Sequence, residues 1–296
     1  MKNKLLLILT SLMLICLCLF GLTACNDKPS VQTESQLKFV MNTDGKTVSV
    51  DGIGMYFERD LIIPSTYKGY AVTAITDNAF ENCEFITSVT ISDSVTSIGR
   101  SAFDACDSLM SVTIGDSVTS IGDRAFYACG RLVEVINKSS NITVEKGSSN
   151  NGYVGYYAFS VSNGDDNYVN KFSTDSNGYV IYTDGEDKIL VNYVGEQTEL
   201  VLPSDITKIN EKAFYKNYKI TSVTISSSVT SIGRSAFYNC TSLTSITFSD
   251  TSTWYRTNNY NNWNNKTSGT QTDLTTPTSN DDYFKSSYYG YYWYKL

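Results

Sequence analysis

The chain contains no histidine. That absence removes Ser-His-Asp and Cys-His nucleophile schemes, histidine general bases and every histidine-containing metal site. Cations are also in the minority, with 23 lysines and arginines against 30 acids and a net charge of −7. There is therefore no basic field to attract nucleic acid, and nucleic acid is not an expected partner. What the chain does have is 296 residues, 41% of them hydrophobic, and 22 tyrosines. That is enough to bury a real core in one large or two small domains.

The first 25 residues carry Lys2 and Lys4, an apolar run from Leu5 to Phe20, and then Leu22-Thr23-Ala24-Cys25. Charged, apolar and small-residue regions in that order describe an export signal over residues 1–24. A plain membrane anchor is the alternative, because Leu5 to Ala24 is about 20 residues, long enough to span a bilayer. Cys16 and Cys18 lie inside the apolar run and would leave with the signal. Leu-Thr-Ala-Cys resembles the bacterial lipobox. The resemblance implies a diacylglyceryl thioether on Cys25, which would hold the mature chain on a membrane. Loss of Lys2 and Lys4 takes the net charge from −7 to −9. Residues 25–36 are polar and suit a short tether.

Beyond the tether the chain repeats itself. Val95, Ile98, Ala102, Phe103, Cys106, Leu109 and Val112 recur 23 residues later as Val118, Ile121, Ala125, Phe126, Cys129, Leu132 and Val135. Another copy starts at Ile75 and two more follow, at Ile206 to Ile225 and Val229 to Phe248. A fixed period of this length on aliphatic positions predicts a leucine-rich solenoid, mainly β, of about five coils. The coils fall into two blocks, residues 61–136 and 200–249.

This pattern, V-T-x-I-x-x-x-A-F-x-x-C-x-x-L-x-x-V-x-I, resembles the BspA-like, or Treponema-type, leucine-rich repeats of bacterial surface proteins. The resemblance implies a non-enzymatic protein of the cell envelope that adheres to host or neighbouring-cell proteins. It departs from the pattern at Asn217, which stands in a cysteine place, and between Asn137 and Glu199, where no regular coil is legible.

Within a coil, Ser88-Val89-Thr90-Ile91-Ser92 alternates as a half-buried strand, with Ser88 and Thr90 facing out. The outward columns read Ser88, Ser111, Glu134, Ser222, Ser245 and Thr90, Thr113, Ile136, Thr224, Thr247, poor in the residues that anchor interfaces. The Ala-Phe pair predicts one short helical turn that drops the ring into the core. Cys83, Cys106, Cys129 and Cys240 follow their phenylalanines by three residues. Parallel stacking would bring the first three about 5 Å apart, which permits a disulfide. The presence of Asn217 in the same slot favours a structural thiol over a disulfide, a metal site or catalysis. No cofactor is expected.

Two hairpin signals, Asp44-Gly45 within residues 37–60 and Asp184-Gly185 within the bridge 137–199, are expected to cap the blocks. The bridge also carries Tyr153, Tyr156 and Tyr157, candidates for binding a protein ligand. In the Asn-rich and aromatic segment 250–296, Trp254 and Tyr255 are expected to seal the last coil while the final strand pairs with an edge. The alternatives there are a glycan platform built on Trp254, Trp263 or Trp293, and disorder. An enzyme acting on envelope polysaccharide would need carboxylates facing across a cleft, and the adjacent pairs Asp165-Asp166 and Asp281-Asp282 do not suggest one. A purely structural envelope role is the remaining alternative.

Overall fold

Alternating β-branched residues build the long side of each coil. In Ser88–Ile91 and Ser111–Ile114 the valine and isoleucine are buried while the serine and threonine lie at the surface. The computed structural model describes residues 36–56, 58–164, 171–259, 269–272, 284 and 290–295. In it, Asp60–Ile63, Ser88–Ile91, Ser111–Ile114, Glu134–Asn137 and Ser160–Asn163 stack as one parallel sheet. Glu199–Val201, Ser222–Ile225 and Ser245–Phe248 form a second one.

The chain therefore makes eight long strands among its described residues, more than the five regular copies, and the difference lies at the irregular positions. The bridge supplies one of them. Ser160–Asn163 pairs in register with Glu134–Asn137, and the matching asparagines Asn137 and Asn163 are 26 residues apart. The same bridge closes the turn side, where the Gly152 carbonyl accepts from Phe126 N–H at 2.7 Å. So the segment without a legible coil is a coil of altered length.

The second side of each coil is a two-residue strand, Ser97–Ile98 and Ser120–Ile121 in the first block, Lys208–Ile209 and Ser231–Ile232 in the second. Both expected hairpins cap these short sheets. Lys38–Met41 and Thr47–Gly52 join Tyr70–Ile75, while Tyr179–Asp184 and Asp187–Tyr193 join Lys208–Ile209. At the far end, Tyr292–Lys295 pairs antiparallel with both Ser231–Ile232 and Trp254–Thr257, closing the open edge.

The third side is not the helical turn that Ala-Phe suggests. Two left-handed residues interrupt each coil there, one before the alanine and one before the cysteine slot: Ser101 (φ 49°) and Ala105 (φ 56°), then Arg124 (φ 55°) and Ala128 (φ 59°). A right-handed helix cannot pass through them. Instead, alternate N–H groups turn toward the next coil: Phe80 donates to Ala102 O at 2.8 Å, Phe103 to Ala125 O at 2.7 Å, and Phe214 to Ala236 O at 2.8 Å. The Asn151–Tyr153 turn is 3₁₀.

The phenylalanines stack as a ladder inside. Ring centroids lie 5.0 Å apart from Phe80 to Phe103 and from Phe103 to Phe126, with the rings nearly parallel, and 4.9 Å from Phe214 to Phe237. Each block has its own apolar core. A third, smaller core joins them, with Val133 and Phe159 of the first stack packed among Val180, Tyr182, Ile189, Val191, Tyr292 and Tyr294. Beside this contact Glu134 and Ile136, two residues that alternation alone turns outward, are buried. Glu134 is covered by Tyr182, whose hydroxyl is 3.2 Å from its Oε1.

Candidate functional site

The cysteine column is part of the stacking machinery. The thiols of Cys106, Cys129 and Cys240 donate to the carbonyls of Phe80, Phe103 and Phe214, one coil back, at 3.2, 3.1 and 3.0 Å. All four described cysteines are free. Burial pushes the Cys129 thiol up to about 12, away from the thiolate form that nucleophilic chemistry needs. Asn217 uses the slot differently, its Oδ1 accepting from the backbone of Lys219 and Ile220 at 3.0 and 3.2 Å.

Threonines are spent in the same way. Thr96 and Thr119 donate to the carbonyls of Thr73 and Thr96 at 3.0 Å, and Thr221 and Thr244 to those of Thr198 and Thr221 at 3.1 Å. A Ser-x-Ser pair closes the corner, with Ser92 donating to Pro64 O and Ser226 to Pro203 O, each at 3.1 Å. Much of the polar sequence thus satisfies backbone of the neighbouring coil.

The aromatic candidates are placed as follows. Trp254 and Trp293 are both 1% exposed, in the second core, so their faces are not open for a sugar. Trp263 lies outside the described residues, as do Cys25 and both adjacent acid pairs. Tyr153, Tyr156 and Tyr157 form an edge-to-face chain with centroids 5.5 and 4.8 Å apart, continuing to Tyr127 at 5.1 Å. They are half-buried, and desolvation, followed by the nearby Glu211 charge, raises the phenols of Tyr156 and Tyr157. They belong to the junction between the blocks.

That junction is strongly polar at its centre. Arg131 of the first block donates from Nε to Lys212 O at 2.7 Å, and Lys212 reaches back to Ala128 O at 2.8 Å and to the Asp107 carboxylate. Glu211 is buried beside them, and desolvation lifts its carboxyl to about 7; Tyr292 donates to its Oε2 at 3.1 Å. A Cβ on Gly130 would stand 3.0 Å from Glu211 Oε1, so the two turns meet closely. Next to this contact, a cleft of about 460 Å³ opens between the blocks.

The outer face of the second long sheet is open at Val201, and that of the first is open at the Ile62 end and covered at Glu134 and Ile136. Ile62 and Val201 are 38% and 71% exposed, and they pair with Thr90 and Thr224 at the same position of their coils. Their strands are sheet edges whose carbonyls are met by cap tyrosines: Tyr56 donates to Asp60 O, and Tyr179 to Val201 O at 3.2 Å. Strand addition at those carbonyls is thereby opposed.

The BspA type leucine rich repeat region matches the chain in six copies, over residues 73–163 and 191–288. The chain belongs to this family. Among solved structures it is similar to a leucine rich cell surface protein from Faecalibacterium prausnitzii, with 23% identity over 75% of this chain and 77% of that one, at a TM-score of 0.32. It is also similar to the T. pallidum leucine rich repeat protein (17% identity, 71% and 78% covered, TM-score 0.35). A third is a leucine-rich repeat protein from Bacteroides capillosus (28% identity, 45% and 96% covered, TM-score 0.37). A comparison with curated proteins finds no match.

The BspA-type repeat runs into the bridge, to residue 163, which agrees with the altered coil ending at Asn163. Sequence reasoning missed the junction. Its signal was present in the residue before each long strand, where the second block has Thr198, Thr221 and Thr244 and the first has Arg59, Thr87, Met110, Val133 and Phe159. Apolar side chains in a column that is otherwise threonine mark a covered surface.

Proposed function

We propose that this BspA-type chain is a non-enzymatic, lipid-anchored protein of the bacterial cell envelope that presents its long sheets to a protein partner, in adhesion to host or neighbouring-cell proteins. The observation that carries the reading is the open column headed by Ile62 and Val201. Both stacks expose an aliphatic side chain at the edge of a parallel sheet, next to a column of threonines that a partner surface could cover with it. Repeat solenoids bind through extended surfaces of this sort. Leu22-Thr23-Ala24-Cys25 supports the anchor.

Two experiments test it. Cys25→Ser, which cannot form the thioether, should leave an unprocessed precursor; normal processing and acylation would refute the anchor. The full chain should bind at least one immobilised extracellular-matrix or bacterial surface protein, and Ile62→Arg with Val201→Arg should abolish that binding without unfolding. Binding untouched by the double variant would place the interface elsewhere.

A further inference from the structure

The cleft between the blocks is lined by Arg59, Arg131, Lys216 and Lys219, with Glu196 as its one carboxylate. This is a positive lining in a chain of net charge −7. We propose that it is a binding site for an acidic saccharide of one or two rings. The proposal is independent of the long-sheet reading.

Arg131 is the first support. It is only 7% exposed, and among the described residues no carboxylate lies within ion-pair distance of it. Its described bonds run to Lys212 O at 2.7 Å and, at 3.4 Å, to Ser108 Oγ and Tyr215 O, so a guanidinium with five N–H groups retains capacity. Burial lowers its pKa to about 10 against the opposing pull of the nearby Asp107 carboxylate, which is itself ion-paired with Lys212. An oxyanion in the cleft would add a directly hydrogen-bonded charge in the planar form that arginine recognises best.

The rim adds three cations. Arg59 is exposed and makes no ion pair among the described residues. Lys216 and Lys219 are each held by one acid, Glu84 and Glu196, both at 2.6 Å. Arg59 stands here because it ends the pre-strand column: further along, Met110, Val133 and Phe159 close the junction with apolar contacts, and at Arg59 the blocks part.

The remaining lining suits a sugar better than a peptide. Tyr218 is 54% exposed and offers a ring for stacking, and the Asn217 amide, whose oxygen is engaged, keeps its N–H groups for hydroxyls. A peptide would gain most from the neighbouring strand edge, but Tyr179 occupies the Val201 carbonyl there. The volume lies within the range of small-ligand sites.

Calorimetric titration of the purified full chain tests this with four probes: a sulfated uronic-acid disaccharide, a digalacturonate, maltose and tetraglutamate. The two acidic sugars should bind, maltose and tetraglutamate at least about tenfold more weakly, and added salt should weaken the acidic sugars. Arg59→Ala and Lys219→Ala change exposed side chains, so they should keep the melting temperature and each weaken the acidic sugars by about tenfold. Lys46→Ala, on the distant hairpin turn, should change nothing. The proposal is overturned if neither acidic sugar binds, if maltose or tetraglutamate binds equally well, or if the Arg59 and Lys219 variants bind as the parent does.

Discussion

The Cys129 thiol sits 3.1 Å from the carbonyl oxygen of Phe103, the residue whose ring stacks on Phe126 in the same pair of coils. One coil thus grips the previous one twice at a single step, through a sulfur-to-carbonyl bond and through a ring contact.

This relationship sets the outcome of substitution. Serine at 106 keeps a donor for Phe80 O but puts a hydroxyl in a nearly apolar slot, and alanine loses the donor and leaves a small void. Each should cost about 1–2 kcal/mol in denaturant unfolding, with serine no worse than alanine. In the native protein a thiol reagent should modify half-buried Cys83 first and leave Cys106, Cys129 and Cys240 untouched until unfolding. Rapid modification of all four would refute the packing role.

The close approach of the coils depends on glycine at one corner. A Cβ on Gly122 would stand 2.5 Å from Arg100 N, and one on Gly233 2.3 Å from Glu211 N. Because the clashing atoms are backbone, Gly122→Ala should destabilise the first block by about 1–3 kcal/mol. The thermal melt of the variant checks this, and an unchanged midpoint would show that the stack yields there.

Much of the fold could be read from residues alone, and the reasons differ by element. The 23-residue step, the two Asp-Gly hairpins and the closing pairing of the last strand each follow from a local pattern. The turn side was hidden, because Ser101, Ala105, Arg124 and Ala128 adopt left-handed backbone with no glycine or common side chain to announce it. The bridge coil was hidden by its changed length. The burial of Glu134 and Ile136 was not legible from alternation, which reports two faces of a strand but not what folds back over one of them. The cleft needs residues as far apart as Arg59 and Lys219 to meet, so no local signal carries it.

Glu211 gives the junction a pH dependence. Its carboxyl is raised to about 7 in the folded chain against 4.5 as its ordinary value. Between those values the folded state holds a proton that the unfolded state has released, so stability falls as pH rises from about 4.5 to 7. Glu211→Gln should therefore raise stability at pH 8, by up to about 3 kcal/mol, and change little near pH 4. Thermal melts across that range check it. Equal effects at both ends would show that the carboxyl is ionised throughout.

The central claim is that the repeats form two separately cored stacks, locked at Arg131, Lys212 and Tyr182. Hydrogen exchange of Phe103→Ala tests it most directly. The phenylalanine contacts rings on both sides, and its loss from a buried ladder costs about 3–5 kcal/mol. The account predicts that amides of Ser88–Ile91, Ser111–Ile114 and Glu134–Asn137 lose protection, while those of Ser222–Ile225 and Ser245–Phe248 keep it. Equal loss of protection in both sets would contradict the two cores and show a single cooperative stack.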